Sequence, residues 1–225
     1  MIIVTGASRG LGKAITERLI GRGEQVVGLA RSVDNLDIQA FECDVSSYSS
    51  VKKVAREIKR MKTPVKAFIN TAGVASLNMA VTTDESTVQK LIQINLVGTI
   101  YCCQLFAPIM LRQKHGSFIN FSTLAVAIAL KGESIYAASK AGVEGFSRSF
   151  AKEMADFNVR VNCIAPGPIR TDLLRGVTDE QIEKITSQQI IPKQFKKSDV
   201  CDLVELLIDE KASSLSGQVL NVGGV

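Results

Sequence analysis

Met1-Ile2-Ile3-Val4-Thr5-Gly6-Ala7-Ser8-Arg9-Gly10-Leu11-Gly12 opens the chain and decides its fold. Met1 to Thr5 is a short apolar, β-branched run and reads as a buried strand. After Gly12 the spacing turns helical, with Leu11, Ile15, Leu19 and Ile20 on one stripe. A strand, a glycine-rich turn and a helix in that order aim free backbone N–H groups at a phosphate. Glycine suits the turn because it accepts positive φ and lets a pyrophosphate approach the backbone. The spacing is G-x-x-x-G-x-G, and three glycines alone are compatible with a plain tight turn. Their place directly after a buried strand points instead to a dinucleotide site.

Working outward, six more strands are expected: Gln25–Ala30, Ile38–Cys43, Val65–Asn70, Ser117–Thr123, Val159–Ile164 and Gln218–Val222. Helical patterns alternate with them, near Ser47–Met61, Asp84–Arg112, Ser134–Phe157, Asp179–Gln188 and Ser198–Asp209. Seven strands alternating with helices predict an α/β fold, a Rossmann-type doubly wound seven-stranded parallel sheet. No linker, repeat or biased segment divides the 225 residues, so the expectation is a single domain over 1–225.

Composition narrows the function classes. Hydrophobic residues make up 46% and charged residues 22%, the balance of a globular protein. The +5 net charge raises the question of nucleic acid. The densest basic stretch, Lys52, Lys53, Arg56, Lys59, Arg60 and Lys62, interleaves with Val51, Val54, Ala55, Ile58 and Met61 at helical spacing, which places the charges on a solvated face. With no aromatic residues among them for base stacking, nucleic acid is rejected. The most apolar run considered as a membrane span, Phe118–Leu130, is too short and carries Asn120, Ser122 and Thr123, so no membrane role and a cytoplasmic location are expected. Five cysteines without C-x-x-C spacing and a single histidine, His115, argue against a metal site and against Ser-His-Asp or Cys-His chemistry.

Tyr136 and Lys140 stand four residues apart on an expected helix, so their side chains share a face. A free phenol with a pKa of ~10 exchanges protons poorly at neutral pH. A neighbouring ammonium favours the phenolate and is expected to bring that value down. The pair is therefore a candidate proton donor and acceptor. Thr5-Gly6-Ala7-Ser8-Arg9-Gly10-Leu11-Gly12, Asn70-Thr71-Ala72-Gly73, Tyr136-Ala137-Ala138-Ser139-Lys140 and Pro166-Gly167-Pro168-Ile169-Arg170-Thr171 together resemble the short-chain dehydrogenase/reductase family, and the likeness runs the length of the chain in the family's order. It implies a nicotinamide cofactor and hydride exchange between a carbonyl and an alcohol.

The resemblance also implies roles. Tyr136 is the expected acid and base, Lys140 the residue that tunes it and holds the nicotinamide ribose, and Asn95 the helix asparagine that supports a water relay to the lysine. The family's serine belongs thirteen residues before the tyrosine, where this chain has Thr123. Threonine keeps the hydroxyl but adds a methyl that stiffens χ1. Ser122 is set aside because adjacent strand side chains face opposite ways. Cofactor contacts are expected from Gly6, Ser8, Arg9, Gly10, Leu11 and Gly12 in the first turn, from Asp44 and Val45 beside the adenine, and from Asn70, Ala72 and Gly73 after the fourth strand. Tyr136, Lys140, Pro166, Gly167, Ile169 and Thr171 complete that set at the nicotinamide end.

A carboxylate closing the second strand would bind the adenosine ribose and repel a 2′-phosphate. This chain has Ala30, then Arg31 and Ser32. Arg31 and Arg9 can fork onto a phosphate, so NADP(H) is expected over NAD(H). On the substrate side, the apolar stretch Leu124–Leu130 is expected to wall a pocket or meet a second subunit, and 172–197 to form a lid. The leading expectation is an NADPH-dependent reductase of a ketone, with a 3-oxoacyl thioester on a carrier protein as one substrate class and Arg112, Lys114 and Arg148 as carrier contacts. An NAD-dependent alcohol dehydrogenase and a nucleotide-binding scaffold without turnover are the alternatives. The partners expected are a small carbonyl or alcohol substrate and further copies of the chain in a homodimer or homotetramer. No metal is expected.

Overall fold

Seven short strands, all parallel, run through the centre of the chain in the order β3-β2-β1-β4-β5-β6-β7. They are β1 (Ile2–Thr5), β2 (Val26–Ala30), β3 (Ala40–Glu42), β4 (Ala67–Asn70), β5 (Gly116–Phe121), β6 (Val159–Ala165) and β7 (Val219–Asn221). The structure, a computed structural model, describes residues 1–174 and 176–225. Residue 175, inside the expected lid, lies outside the described residues. The helices are α1 (Gly10–Gly21), α2 (Tyr48–Arg60), α3 (Glu85–Leu91), α4 (Gly98–Gln113), α5 (Ala125–Ile128), α6 (Ser134–Met154), α7 (Asp179–Thr186) and α8 (Lys197–Ile208). The seven expected strands are all present, within a few residues at each end.

Helices cover both faces, so the central strands are apolar on every residue rather than on alternate ones. Alternation nonetheless sorts the side chains. Ile3, Val27, Phe68 and Phe118 pack under α2, α4 and α6, while Ile2, Val4, Ile69 and Ile119 pack under α1 and α8. Phe68 meets Phe106 at 4.5 Å between ring centroids, and Phe118 meets Phe150 edge-on at 5.6 Å. Cys102, Cys103, Phe106 and Phe150 are buried inside this layer. On α2 the basic residues are exposed and Val51, Val54, Ala55 and Ile58 are buried, which is the solvated face the spacing predicts.

Three features depart from the expectation. The helix expected over 84–112 is interrupted by a π turn at Ile92–Val97. Residues Glu85–Gln113 still form one helical rod that contains an 18-residue stretch long and apolar enough to cross a membrane, although no spanning run was expected. Its buried residues, Cys102, Cys103, Phe106 and Met110, are packed on the sheet. Leu124–Leu130, expected as a loop, winds into α5, with Leu124 and Ala125 buried.

A chain of buried amides ties β4, β5 and α6 together. Asn70 Nδ2 donates to Asn120 Oδ1 at 2.7 Å, and Asn120 Nδ2 donates to Ser147 Oγ at 2.8 Å. Asn120→Ala leaves both partners buried and short of a bond, each at about 1–3 kcal/mol. Urea unfolding should therefore show a loss of about 2–6 kcal/mol, and a loss below about 1 kcal/mol would mean the chain of amides contributes little.

Candidate active site

The parallel order reverses direction of travel at β1 and β4, and the ends of these strands open a cleft of about 760 Å³. The two strand ends are pinned to one another: the Thr71 hydroxyl donates to the Thr5 carbonyl, and Ala72 N donates to Thr5 Oγ1 at 3.1 Å. Gly6 and Gly10 adopt φ of +68° and +60°, which a side chain would strain. A Cβ on Gly12 would run into the Gly6 carbonyl, so the first turn of α1 sits directly on the strand end. No side chain caps that turn, since Arg9 at the N-cap makes no cap bond. Gly10, Leu11 and Gly12 at the start of α1 line the cleft, and the positive end of the helix dipole favours an anion there. This cradle of Gly6, Gly10 and Gly12 fits a pyrophosphate.

At one end of the cleft stand Ala30, Arg31 and Ser32 after β2, with Asp44 and Val45 after β3. Asp44 is turned onto its own loop, where Oδ1 accepts from Ser46 N at 2.9 Å and Ser46 Oγ at 2.6 Å. Val45 presses on Gly98, where a Cβ would come within 3.0 Å of it. At the other end, Thr123, Tyr136 and Lys140 share a wall with Gly73 and Pro166. Tyr136 is 8% exposed and Lys140 6%. The Lys140 ammonium donates to the Phe121 carbonyl at 2.9 Å and lies 3.5 Å from where a Cβ on Gly73 would stand.

The short chain dehydrogenase family model matches residues 1–182. The chain belongs to this family. It is 32% identical to the 3-oxoacyl acyl-carrier-protein reductase FabG of Staphylococcus aureus, covering 99% of this chain and 96% of that one. The FabG of Escherichia coli is 29% identical, over 99% and 95% of the two chains. Among solved structures, the aldohexose dehydrogenase of Thermoplasma acidophilum superposes with a TM-score of 0.89 at 30% identity, over 99% of this chain and 92% of the other. A short-chain dehydrogenase is an oxidoreductase that works with a nicotinamide cofactor.

Most of the residues expected at the site of this short-chain dehydrogenase do line that cleft, from Gly6 and Ser8 through Leu11, Ala72, Ile169 and Thr171 to Gly167. Two do not. Asn70 is 4% exposed and turned into the amide chain under the sheet, because the last strand residue alternates away from the cleft. Asn95 is fully buried in the π turn. Its Oδ1 accepts from Val74 N at 2.9 Å, and its Nδ2 donates to Val74 O at 2.9 Å and Ser139 Oγ at 3.0 Å. Both N–H groups of the amide are thus occupied, and Thr99 Oγ1 donates to the Asn95 carbonyl at 2.8 Å. Ser122 also lines the cleft, but its hydroxyl donates to Glu144 Oε1 at 2.6 Å inside the protein. Thr123 is the hydroxyl on the cleft side, next to the phenol.

The electrostatics differ from the expectation in one respect. Lys140 does not bring the Tyr136 phenol down. Burial pushes the phenol well above its ordinary value, the Glu133 charge adds to that, and the Thr123 hydroxyl opposes it. Burial also lowers Lys140 to about 8 from 10.5. Loss of water dominates both groups because each is enclosed by protein. Tyr136 consequently holds its proton firmly, as an acid must before it gives one up. Cys43, also on the cleft, is held up to about 11 by burial and is a packing thiol rather than a nucleophile. Glu133, Val74, Leu174 and Ile185 line the cleft as well and carry no sequence motif.

Proposed function

We propose that this short-chain dehydrogenase reduces a ketone to a secondary alcohol with NADPH, Tyr136 acting as the general acid. The observation that carries this reading is the convergence of the Tyr136 phenol, the Thr123 hydroxyl and the Lys140 ammonium on one wall of the cleft that the glycine turn closes. The start of α1 would hold the pyrophosphate, and Lys140, with two N–H donors beyond the one given to Phe121 O, would hold the ribose next to the nicotinamide. When bound, the reduced cofactor supplies the hydride that the carbonyl carbon receives.

The protein's own part is the proton. Tyr136 gives its hydrogen to the carbonyl oxygen as negative charge develops there, and Thr123 donates a second hydrogen bond to the same oxygen. Asn95 is a positioning residue. It fixes Val74 on the cleft floor and, through Ser139, whose hydroxyl donates to the Tyr136 carbonyl at 2.6 Å, the first turn of α6. Leu174 and Ile185, both within the segment 172–197, line the cleft and support its reading as a lid. The FabG relatives bring 3-oxoacyl thioesters into the test, a panel of carbonyl compounds, acetoacetyl thioesters and hydroxyketones among them, followed by loss of NADPH absorbance.

The choice of NADPH rests on the rim of the cleft. Ala30 offers no carboxylate, and Arg31 and Arg9 are exposed there with no ion-pair partner among the described residues. A guanidinium forking onto a 2′-phosphate contributes about 1.5–3 kcal/mol. Arg31→Ala should weaken NADPH about 10- to 100-fold in a binding titration and leave NADH unchanged. An equal loss for both nucleotides would place Arg31 elsewhere than on the phosphate.

A further inference from the structure

Glu133 is the cleft residue that the mechanism leaves without a task. It precedes Tyr136 by three positions, which sets it on the same side of α6 at the entrance to that helix, and it lines the cleft beside the phenol. It caps nothing, for its side chain makes no bond to the first turn of α6. Among the described residues no donor and no cation reaches its carboxylate, and loss of water is the one influence on its titration. Glu133 N donates to the Leu130 carbonyl at 3.2 Å, and Leu124, Ala125, Leu130 and Ile185 are apolar members of the same cleft. A half-buried carboxylate without a partner disfavours the folded chain, and a leucine or glutamine would fill the place at less cost. The cost is recovered when a bound molecule brings the missing donor.

Building on the reductase reading, we propose that Glu133 determines specificity by accepting a hydrogen bond from a hydroxyl on the carbon next to the reacting carbonyl. The site then selects hydroxyketones, or vicinal diols in the reverse direction, over plain alkyl ketones. The phenol addresses the carbonyl oxygen, and Glu133 flanks the phenol, so the group it meets is the substituent on the adjacent carbon. A hydroxyl fits better than an ammonium, because the buried Lys140 ammonium on the same wall repels a second cation. A ketone that lacks the donor strips water from Glu133 and returns nothing, which is how a polar site rejects an apolar isostere.

The test compares 1-hydroxy-2-butanone with 3-pentanone, in which a methyl replaces the hydroxyl. Affinities are measured by ligand-observed NMR titration on the wild-type protein, Glu133→Leu and Glu133→Gln, each with NADP+ present. The wild type should bind the hydroxyketone at least about tenfold tighter. Glu133→Leu should abolish that preference, and Glu133→Gln, which keeps a neutral acceptor, should retain part of it. Equal affinities in the wild type, binding of neither ketone, or a preference that survives Glu133→Leu would overturn the proposal. NADPH oxidation is read in parallel. If the ketones bind with the expected preference and neither is reduced, the reductase reading fails while the role of Glu133 stands.

Discussion

Tyr136→Phe removes one oxygen from the cleft and should lower turnover of any ketone substrate by about 10²–10⁴-fold, the contribution of a placed general acid. The ring stays, so its packing against the cleft wall is kept and the variant should unfold at the wild-type midpoint. The nucleotide should bind nearly as well, since the cradle that fits the pyrophosphate is built from Gly6, Gly10 and Gly12, on the other side of the cleft. The phenol's loss is severe for a reason visible in its surroundings. Burial and the Glu133 charge hold its proton in place, and Thr123 is the other hydroxyl beside it. Threonine cannot take over the transfer, because an aliphatic hydroxyl is far too weak an acid. Steady-state rates and a nucleotide titration on the same preparation check both halves, and retained turnover would remove Tyr136 as the acid.

Lys140→Met should cost turnover on a similar scale, about 10²-fold or more, and should in addition weaken the nucleotide. Methionine matches the lysine stem in length and brings no charge to bury, so the fold tolerates it, at the expense of one bond to the Phe121 carbonyl. The pH dependence separates the charge from the packing. Burial lowers Lys140 to about 8, so the free enzyme keeps the ammonium below that pH and loses it above. kcat/KM for NADPH reports the free enzyme and should fall as pH rises through about 8 in the wild type, but not in Lys140→Met. Stability moves the opposite way. Between about 8 and 10.5 the unfolded chain binds more protons at this residue than the folded one, so wild-type stability relative to Lys140→Met should rise with pH across that window. A rate profile without a break near 8 would mean that the lysine charge does not contribute.

How much of this was legible in the sequence follows from which forces were local. The sheet was, because buried parallel strands are short apolar runs between helical patterns, and seven of them appear in order. The glycine turn was, because positive φ at Gly6 and Gly10 and the contact of Gly12 with the Gly6 carbonyl are met by one residue type. The opposite facing of Thr123 and Ser122 also followed from simple alternation, the one hydroxyl beside the phenol and the other bonded to Glu144. The π turn did not, since one extra residue in a helical turn leaves the apolar stripe of Glu85–Gln113 unbroken to the eye, and a lone Asn95 is its single trace. The burial of the Asn70 side chain was not legible, because the motif that contains it says nothing about the Asn120 amide waiting beneath. The pull of Lys140 on Tyr136 was overestimated for a related reason. Spacing shows that two groups can meet, but how much water each loses depends on the whole fold. Glu133 was missed altogether, since an unpartnered carboxylate is defined by what fails to come near it.

The account depends on one arrangement, a nicotinamide nucleotide laid along the opening turn with its reactive ring against Tyr136. A crystal structure of the protein with NADP+ tests it most directly. The account predicts the pyrophosphate at the start of α1, Arg31 on the 2′-phosphate, and the Tyr136 hydroxyl close enough to the ring that a carbonyl between them is within about 3–3.5 Å of both. A nucleotide found elsewhere, or one whose nicotinamide points away from Tyr136 and Lys140, would contradict it.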